Sequence, residues 1–380
     1  MQLVLDEDQE LLAKTAADWV GEFSPVSRMR ELRDTKDLTG FSKKLWKEMA
    51  ELGWVGIPFD EAHGGADMGL AELVVVLEAM GRALAPEPFL SSVLLGGGAL
   101  QLAGSDAQKQ QWLPGVAEGD KLLALATQEP TSRYDLFHVT TRAEKSGDGW
   151  VLTGTKSQVI DGHAADAILI PARTSGADAD RDGISLFLVP ADAAGLSSER
   201  QWRLDSRGAG LLELSGVAAG TDALVGQEGG AAATLETVVD RATVGLCAEM
   251  LGGMTQAFEL TLEHMKQREQ FDTVIGTFQA LKHRAAKLFI EIELSRSCVM
   301  AAARAVDSGD ENVAKLVSLA KARCSDAYIL ATNEGVQIFG GVGMTDEYDI
   351  GLYMKRARAA ALTFGDAAFH RDRWARLSNY

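Results

Sequence analysis

The sequence predicts an α+β protein, mainly α, in which a helical region is followed by a β region and then by a helical bundle. Three observations carry this. Apolar residues recur at close to a 3.6-residue period up to about Gly119. Short β-type runs divided by turn residues take over between residues 122 and 224. After Gly229-Gly230-Ala231-Ala232-Ala233, long stretches rich in Ala, Leu, Glu and Lys return. The domains expected are an all-α N-terminal domain (1–121), a middle β-barrel or sheet domain (122–228) and a four-helix-bundle-like C-terminal domain (229–380). A chain of 380 residues is long enough for two or three packed bodies.

Asp6 opens the first helix, and Leu11, Leu12, Ala16, Trp19 and Val20 mark its apolar face. Leu45, Trp46, Met49, Ala50 and Leu52 repeat the trend until Gly53 stops it. The segment GIPFDEAHGG, residues 56–65, reads as irregular backbone because of its glycines and Pro58. Residues 73–84 form another helix, closed near Pro86 and Pro88. In the middle region, residues 150–153, 167–170 and 184–189 read as strands. Gly147-Asp148-Gly149 and Asp180-Arg181-Asp182-Gly183 are their turns. Long helices over 235–267, 278–307 and 313–338 complete the chain.

Composition narrows the function. A net charge of −17, from 37 basic and 54 acidic residues, argues against a nucleic-acid surface, which needs clustered Lys and Arg. Cys247, Cys298 and Cys324 are odd in number and widely spaced, as expected of reduced thiols in a cytoplasmic protein. The N-terminus lacks a basic secretory n-region, and no apolar run reaches the ~18 residues of a membrane span. No metal is expected, since the six histidines do not pair with carboxylates at ligand spacing. Asp178, Asp180 and Asp182 imitate a calcium loop but lack its glycine and distal glutamate. GGGAL at 96–100 and GGAAA at 229–233 have no nucleotide-binding βαβ context.

Six segments in order resemble one family. They are LGWVGIPFDEAHGG from Leu52, WLPGVAEGDKLLALATQEP from Trp112, GTKSQVIDGHAADAILI from Gly154, REQFDTVIGTFQALKHRAA from Arg268, QIFGGVG from Gln337, and the turn Thr363-Phe364-Gly365-Asp366. Together they resemble the acyl-CoA dehydrogenase family of flavoenzymes, nearest to the small-subunit type of pimeloyl-CoA dehydrogenase. That type shares the TFGD turn and a similar Ser132-Arg133 loop. The resemblance implies FAD as cofactor, an acyl-CoA thioester as substrate and an electron-transfer flavoprotein as acceptor. It also implies α-proton removal by a carboxylate as the β-hydrogen leaves as hydride, with the thioester carbonyl polarised.

In that family each flavin lies between two subunits, and the two contributions fare differently here. For the part given to a neighbouring subunit's flavin, the resemblance assigns Arg268 to the pyrophosphate and Phe271 to packing on the cofactor. It assigns Gln279 to the adenosine side, and Gln337, Gly340 and Gly341 to close backbone approach. For the self-contributed part, Gln128 opens a loop where Arg133 replaces the expected glycine. Gln158 and Ile160 replace an aromatic residue and a hydroxyl beside the flavin. The family's catalytic glutamate is Phe364, which cannot take a proton. Asp366 is the carboxylate nearest to it in sequence. The alternative glutamate position on the helix entering the last domain falls at Ala242 and Thr243, with Asp240 and Glu249 off register.

Three readings follow. The chain is the base-deficient partner of a related catalytic subunit, or a self-sufficient homo-oligomer with Asp366 as base, or a flavin-free scaffold.

Overall fold

A computed structural model of the protein describes residues 3–380. The chain is mainly helical, with helical N- and C-terminal regions and a sheet formed by its middle third. Helices α1 (Glu7–Phe23), α2 (Val26–Asp34), α3 (Lys43–Glu51), α4 (Leu70–Arg82), α5 (Gly98–Ala103) and α6 (Asp106–Ala117) come first. The strands are β1 (Leu123–Leu125), β2 (Arg142–Ser146), β3 (Gly149–Ile160), β4 (Ala167–Arg173), β5 (Ile184–Pro190), β6 (Leu196–Trp202), β7 (Gly208–Ala219) and β8 (Leu224–Val225). Helix α7 (Ala232–Gln267) leads into a minimal hairpin of β9 (Glu269–Gln270) and β10 (Thr273–Val274). Helices α8 (Gln279–Ser308), α9 (Val313–Phe339), α10 (Ile350–Leu362) and α11 (Ala367–Leu377) end the chain.

The chain packs as two compact units, each assembled from separate stretches of sequence. The first takes residues up to 31, 69–85 and 243–380. Asp6 caps α1 as its position predicts: its carboxylate accepts from Gln9 N at 2.9 Å, and Gln9 Oε1 accepts from Asp6 N at 3.3 Å. Helix α9 is the hub, packed against α8, α10 and α11. Helix α4 meets the later part of α7 through glycines. A Cβ on Gly252 would lie 1.9 Å from Glu78 O, and one on Gly81 would lie 2.1 Å from Glu249 O. Backbone touches backbone there, so any side chain at these positions would force the helices to shift.

The second unit takes residues 32–68 and 86–242. Its strands pair in the order β6-β7-β3-β2-β4-β5-β8, with β1 parallel to β4. The β2–β3 hairpin closes through Gly147-Asp148, where Gly147 has φ +59°. Leu152, Ile168, Ile170, Phe187, Leu212 and Val217 fill the sheet's buried face. The GGGAL stretch finds a packing role: a Cβ on Gly96 would lie 2.4 Å from Leu123 Cβ. The aspartate-rich loop wraps an arginine. Arg173, 1% exposed, donates from Nη1 to Asp180 O (2.9 Å) and Asp182 O (2.7 Å), and from Nη2 to Asp178 O (2.9 Å). Among the described residues no cluster of potential metal ligands occurs, and no helix is long and apolar enough to cross a membrane. Cys247, Cys298 and Cys324 are free thiols.

Candidate functional site

Within the first unit, the end of α7, the hairpin and the end of α9 converge. Met265, Ile275 and Ala285 form a small apolar cluster, and Ile338 near the end of α9 packs on it. His264 stacks on Phe339 with ring centroids 4.1 Å apart. These contacts join the segment that carries Arg268, Phe271 and Gln279 to the end of α9, where Gln337, Gly340 and Gly341 lie.

Phe271 and Asp272 turn the hairpin with φ values of +57° and +61°, and Phe271 is 86% exposed. Its ring meets Phe278 edge-on at 6.2 Å. Arg268 is exposed, and its guanidinium has no acceptor among the described residues. His264 is held below the ordinary histidine range by burial and by the Arg268 cation, and its buried Nε2 has no partner there either. Gln279 is the first residue of α8, and Gln337 lies in the last turn of α9; both are exposed. A Cβ on Gly340 or Gly341 would meet nothing within 4 Å, so the backbone there is open to close approach. An unneutralised cation, an exposed aromatic ring, two free-facing amides and bare backbone suit a large anion with a flat ring system.

Gln128 and Gln158 lie together in the second unit, because Ser157 N donates to Gln128 O at 2.9 Å. Both side chains are exposed, whereas the neighbouring Ile160 is 6% exposed. Gln158 sits at a register shift in the β3–β7 ladder with φ +53°. Its backbone N and its Nε2 both donate to Gln201 Oε1, at 2.9 and 3.0 Å.

The loop after Gln128 hangs on Glu129. That buried carboxylate takes Lys156 Nζ at 2.7 Å, Thr140 N at 2.7 Å and Thr141 Oγ1 at 2.6 Å. Burial alone would raise its pKa; the Lys156 ammonium and these hydrogen bonds overcome that and hold it down at about 2. Arg133, at the expected glycine position, keeps a left-handed backbone at φ +50°.

The Thr363–Asp366 turn joins α10 to α11 in the first unit. Phe364 has φ +60° and Gly365 φ +106°. Asp366 is the N-cap of α11, its Oδ1 accepting from Phe369 N at 2.8 Å. Asp240 and Glu249, both 8% exposed, lie on α7. Lys321 and His370 reach the turn from beneath. Sequence reasoning missed Lys321, although a lysine among Val317, Cys324 and Tyr328 on one helix stripe was the available signal. It also missed His264, which no spacing marks.

Residues 6–120, 124–217 and 228–378 match the family models described as the acyl-CoA dehydrogenase N-terminal, middle and C-terminal domains. The chain is 30% identical over 368 residues to acyl-CoA dehydrogenase fadE12 of Mycobacterium tuberculosis, covering 94% of this chain and 92% of that one. Among solved structures, the ChsE4-ChsE5 complex from Mycobacterium tuberculosis contains a chain 28% identical, with a TM-score of 0.89 over 100% of both chains. Butyryl-CoA dehydrogenase from Megasphaera elsdenii is 25% identical, with a TM-score of 0.91 over 100% of both.

Proposed function

This chain belongs to the acyl-CoA dehydrogenase family of FAD-dependent oxidoreductases, and we propose that it serves there as the base-deficient subunit of a hetero-oligomeric enzyme. The observation that carries this reading is Phe364. By the resemblance it stands at the family's base position, and phenylalanine cannot take a proton. The set around Arg268, by contrast, is open and unneutralised.

The residues fit the ADP half of a dinucleotide held by a partner subunit. Arg268 would give charge-assisted hydrogen bonds to its pyrophosphate, and Phe271 would pack on it. Gln279 and Gln337 would supply amide contacts, and Gly340 with Gly341 would let backbone approach. Bound FAD supplies the hydride acceptor for the β-hydrogen of an acyl-CoA thioester. The α-proton then needs a carboxylate, which the related subunit would provide. Gln128 and Gln158 would face this chain's own flavin site. Gln158 has its amide engaged with Gln201, and Ile160 offers no hydrogen bond.

Asp366 is a weak replacement base in a self-sufficient enzyme, because its carboxylate already caps α11. The TFGD turn and the Ser132-Arg133 loop support assignment to the pimeloyl-CoA small-subunit type, acting on a dicarboxyl, alicyclic or steroid-side-chain thioester. A cytoplasmic location and an electron-transfer flavoprotein as acceptor belong to the same reading. The heteromeric ChsE4-ChsE5 neighbour is the structural precedent for two unlike chains.

The test is a visible absorption spectrum of the chain purified alone and co-purified with its genomic neighbour of the same family. A yellow complex bleached by such acyl-CoA thioesters, with no bleaching by the lone chain, is the expected result. Bleaching by the lone chain, lost in Asp366→Ala, would establish self-catalysis. A colourless lone chain whose removal leaves the neighbour's flavin content and turnover intact would overturn both readings.

A further inference from the structure

Beneath the turn that carries Phe364 lies a lysine with no solvent exposure, Lys321 of α9. A buried ammonium is costly unless its N–H groups find acceptors. Here Nζ donates to Ser325 Oγ at 3.2 Å, Ala361 O at 3.1 Å and Gly365 O at 2.8 Å. Ala361 belongs to the last turn of α10, so the cation also faces that helix's negative end. His370 of α11 acts on the neighbouring peptide, its Nε2 donating to Phe364 O at 2.9 Å. Burial, then the Lys321 cation, push the His370 pKa down to about 3, so the ring is neutral. A carbonyl partner places the proton on Nε2.

Two successive carbonyls, those of Phe364 and Gly365, are thus each held by a buried donor. Lys321 also ties Ala361 O, ahead of Phe364, to Gly365 O, behind it, and within that span Phe364 adopts φ +60°, a conformation that a side chain opposes. Gly365 follows at φ +106°, and a Cβ there would lie 2.4 Å from Phe369 Cδ1 and 2.9 Å from His370 Nε2, so the position suits glycine. A left-handed residue just past a helix end is common, but here buried donors also hold its own carbonyl and the next. We propose that Lys321 and His370 are positioning residues for residue 364, their hydrogen bonds imposing the left-handed backbone that aims its side chain. The functional meaning rests on reading 364 as the family's base position. The braced atoms are backbone carbonyls, so Phe364→Glu would leave these hydrogen bonds in place.

Alanine and glycine at 364 separate this brace from general core stability, because they differ chiefly in tolerance of a left-handed backbone. Folding equilibrium constants would be taken from urea unfolding of the full chain. With Lys321 and His370 present, Phe364→Gly should be favoured over Phe364→Ala by roughly fivefold. That preference should vanish in Lys321→Met, and in His370→Asn should Lys321→Met not fold. A glycine preference that survives both brace variants, or is absent from the parent, overturns the proposal. A purely structural lysine would lower both 364 variants alike and leave the ratio untouched, which counts against the proposal in the same way. Flavin, thioester and partner take no part in these measurements, so their outcome is independent of the proposed function.

Discussion

At the residue scale, three positions where this chain departs from the pattern it resembles share a backbone property. Arg133, Gln158 and Phe364 have φ values of +50°, +53° and +60°. Each side chain opposes that conformation by about 1 kcal/mol. Arg133→Gly should therefore stabilise the chain by roughly 0.5–1 kcal/mol, seen as a higher urea midpoint. Glu129→Gln should do the reverse. It leaves the buried Lys156 ammonium without its counter-charge and should cost about 3–5 kcal/mol, measured by thermal or urea unfolding. Lys156→Met added to it should recover part of that loss.

His370 supplies a pH signature. Its folded pKa is about 3 against an ordinary 6.5, so the unfolded chain binds a proton that the folded chain refuses. Its contribution is complete above pH 6.5 and is lost as pH falls towards 3. Glu129, lowered from 4.5 to about 2, contributes above 4.5 and is lost only as pH falls below that. Between pH 6.5 and 4.5 the slope of stability against pH should thus be shallower in His370→Asn than in the parent, while Glu129→Gln should leave that slope unchanged.

At the scale of elements, the crossing of α4 and α7 is the most demanding contact. Gly252→Ala would push a methyl group to within 1.9 Å of Glu78 O, a backbone atom that cannot rotate away. A loss of about 1–3 kcal/mol is expected, read as a lower unfolding midpoint. Periodicity made the long helices legible because their apolar stripes are wide; residues 278–307 against the observed Gln279–Ser308 is one case. Strands 150–153, 167–170 and 184–189 were legible because β3, β4 and β5 carry buried apolar residues. Strands β2 (RAEKS) and β6 (LSSERQW) were not. Their burial is slight, and backbone pairing with β3 and β7 makes them strands. The β9–β10 hairpin is too short for any alternation to register.

At the scale of the whole molecule, the role proposed for Arg268 can be tested in the proposed complex. Arg268→Ala should lower the flavin retained by a co-purified complex at least tenfold, as judged by absorbance per mole of protein, with no change in the unfolding midpoint of the lone chain. Unchanged flavin retention would remove Arg268 from any dinucleotide site.

The order of residue types along the chain determined the succession of helices, strands and helices, because periodicity and turn chemistry act locally. It also determined which side chains are present at 268, 337, 364 and 366. Tertiary structure alone decided what those residues could do. It joined residues 268–279 to 337–341 through Ile338 packing on Met265 and Ile275. It turned Asp366 into a helix cap, and it placed a buried lysine and histidine under residue 364. Such meetings depend on side chains distant in sequence sharing one small buried volume, and no local pattern encodes that.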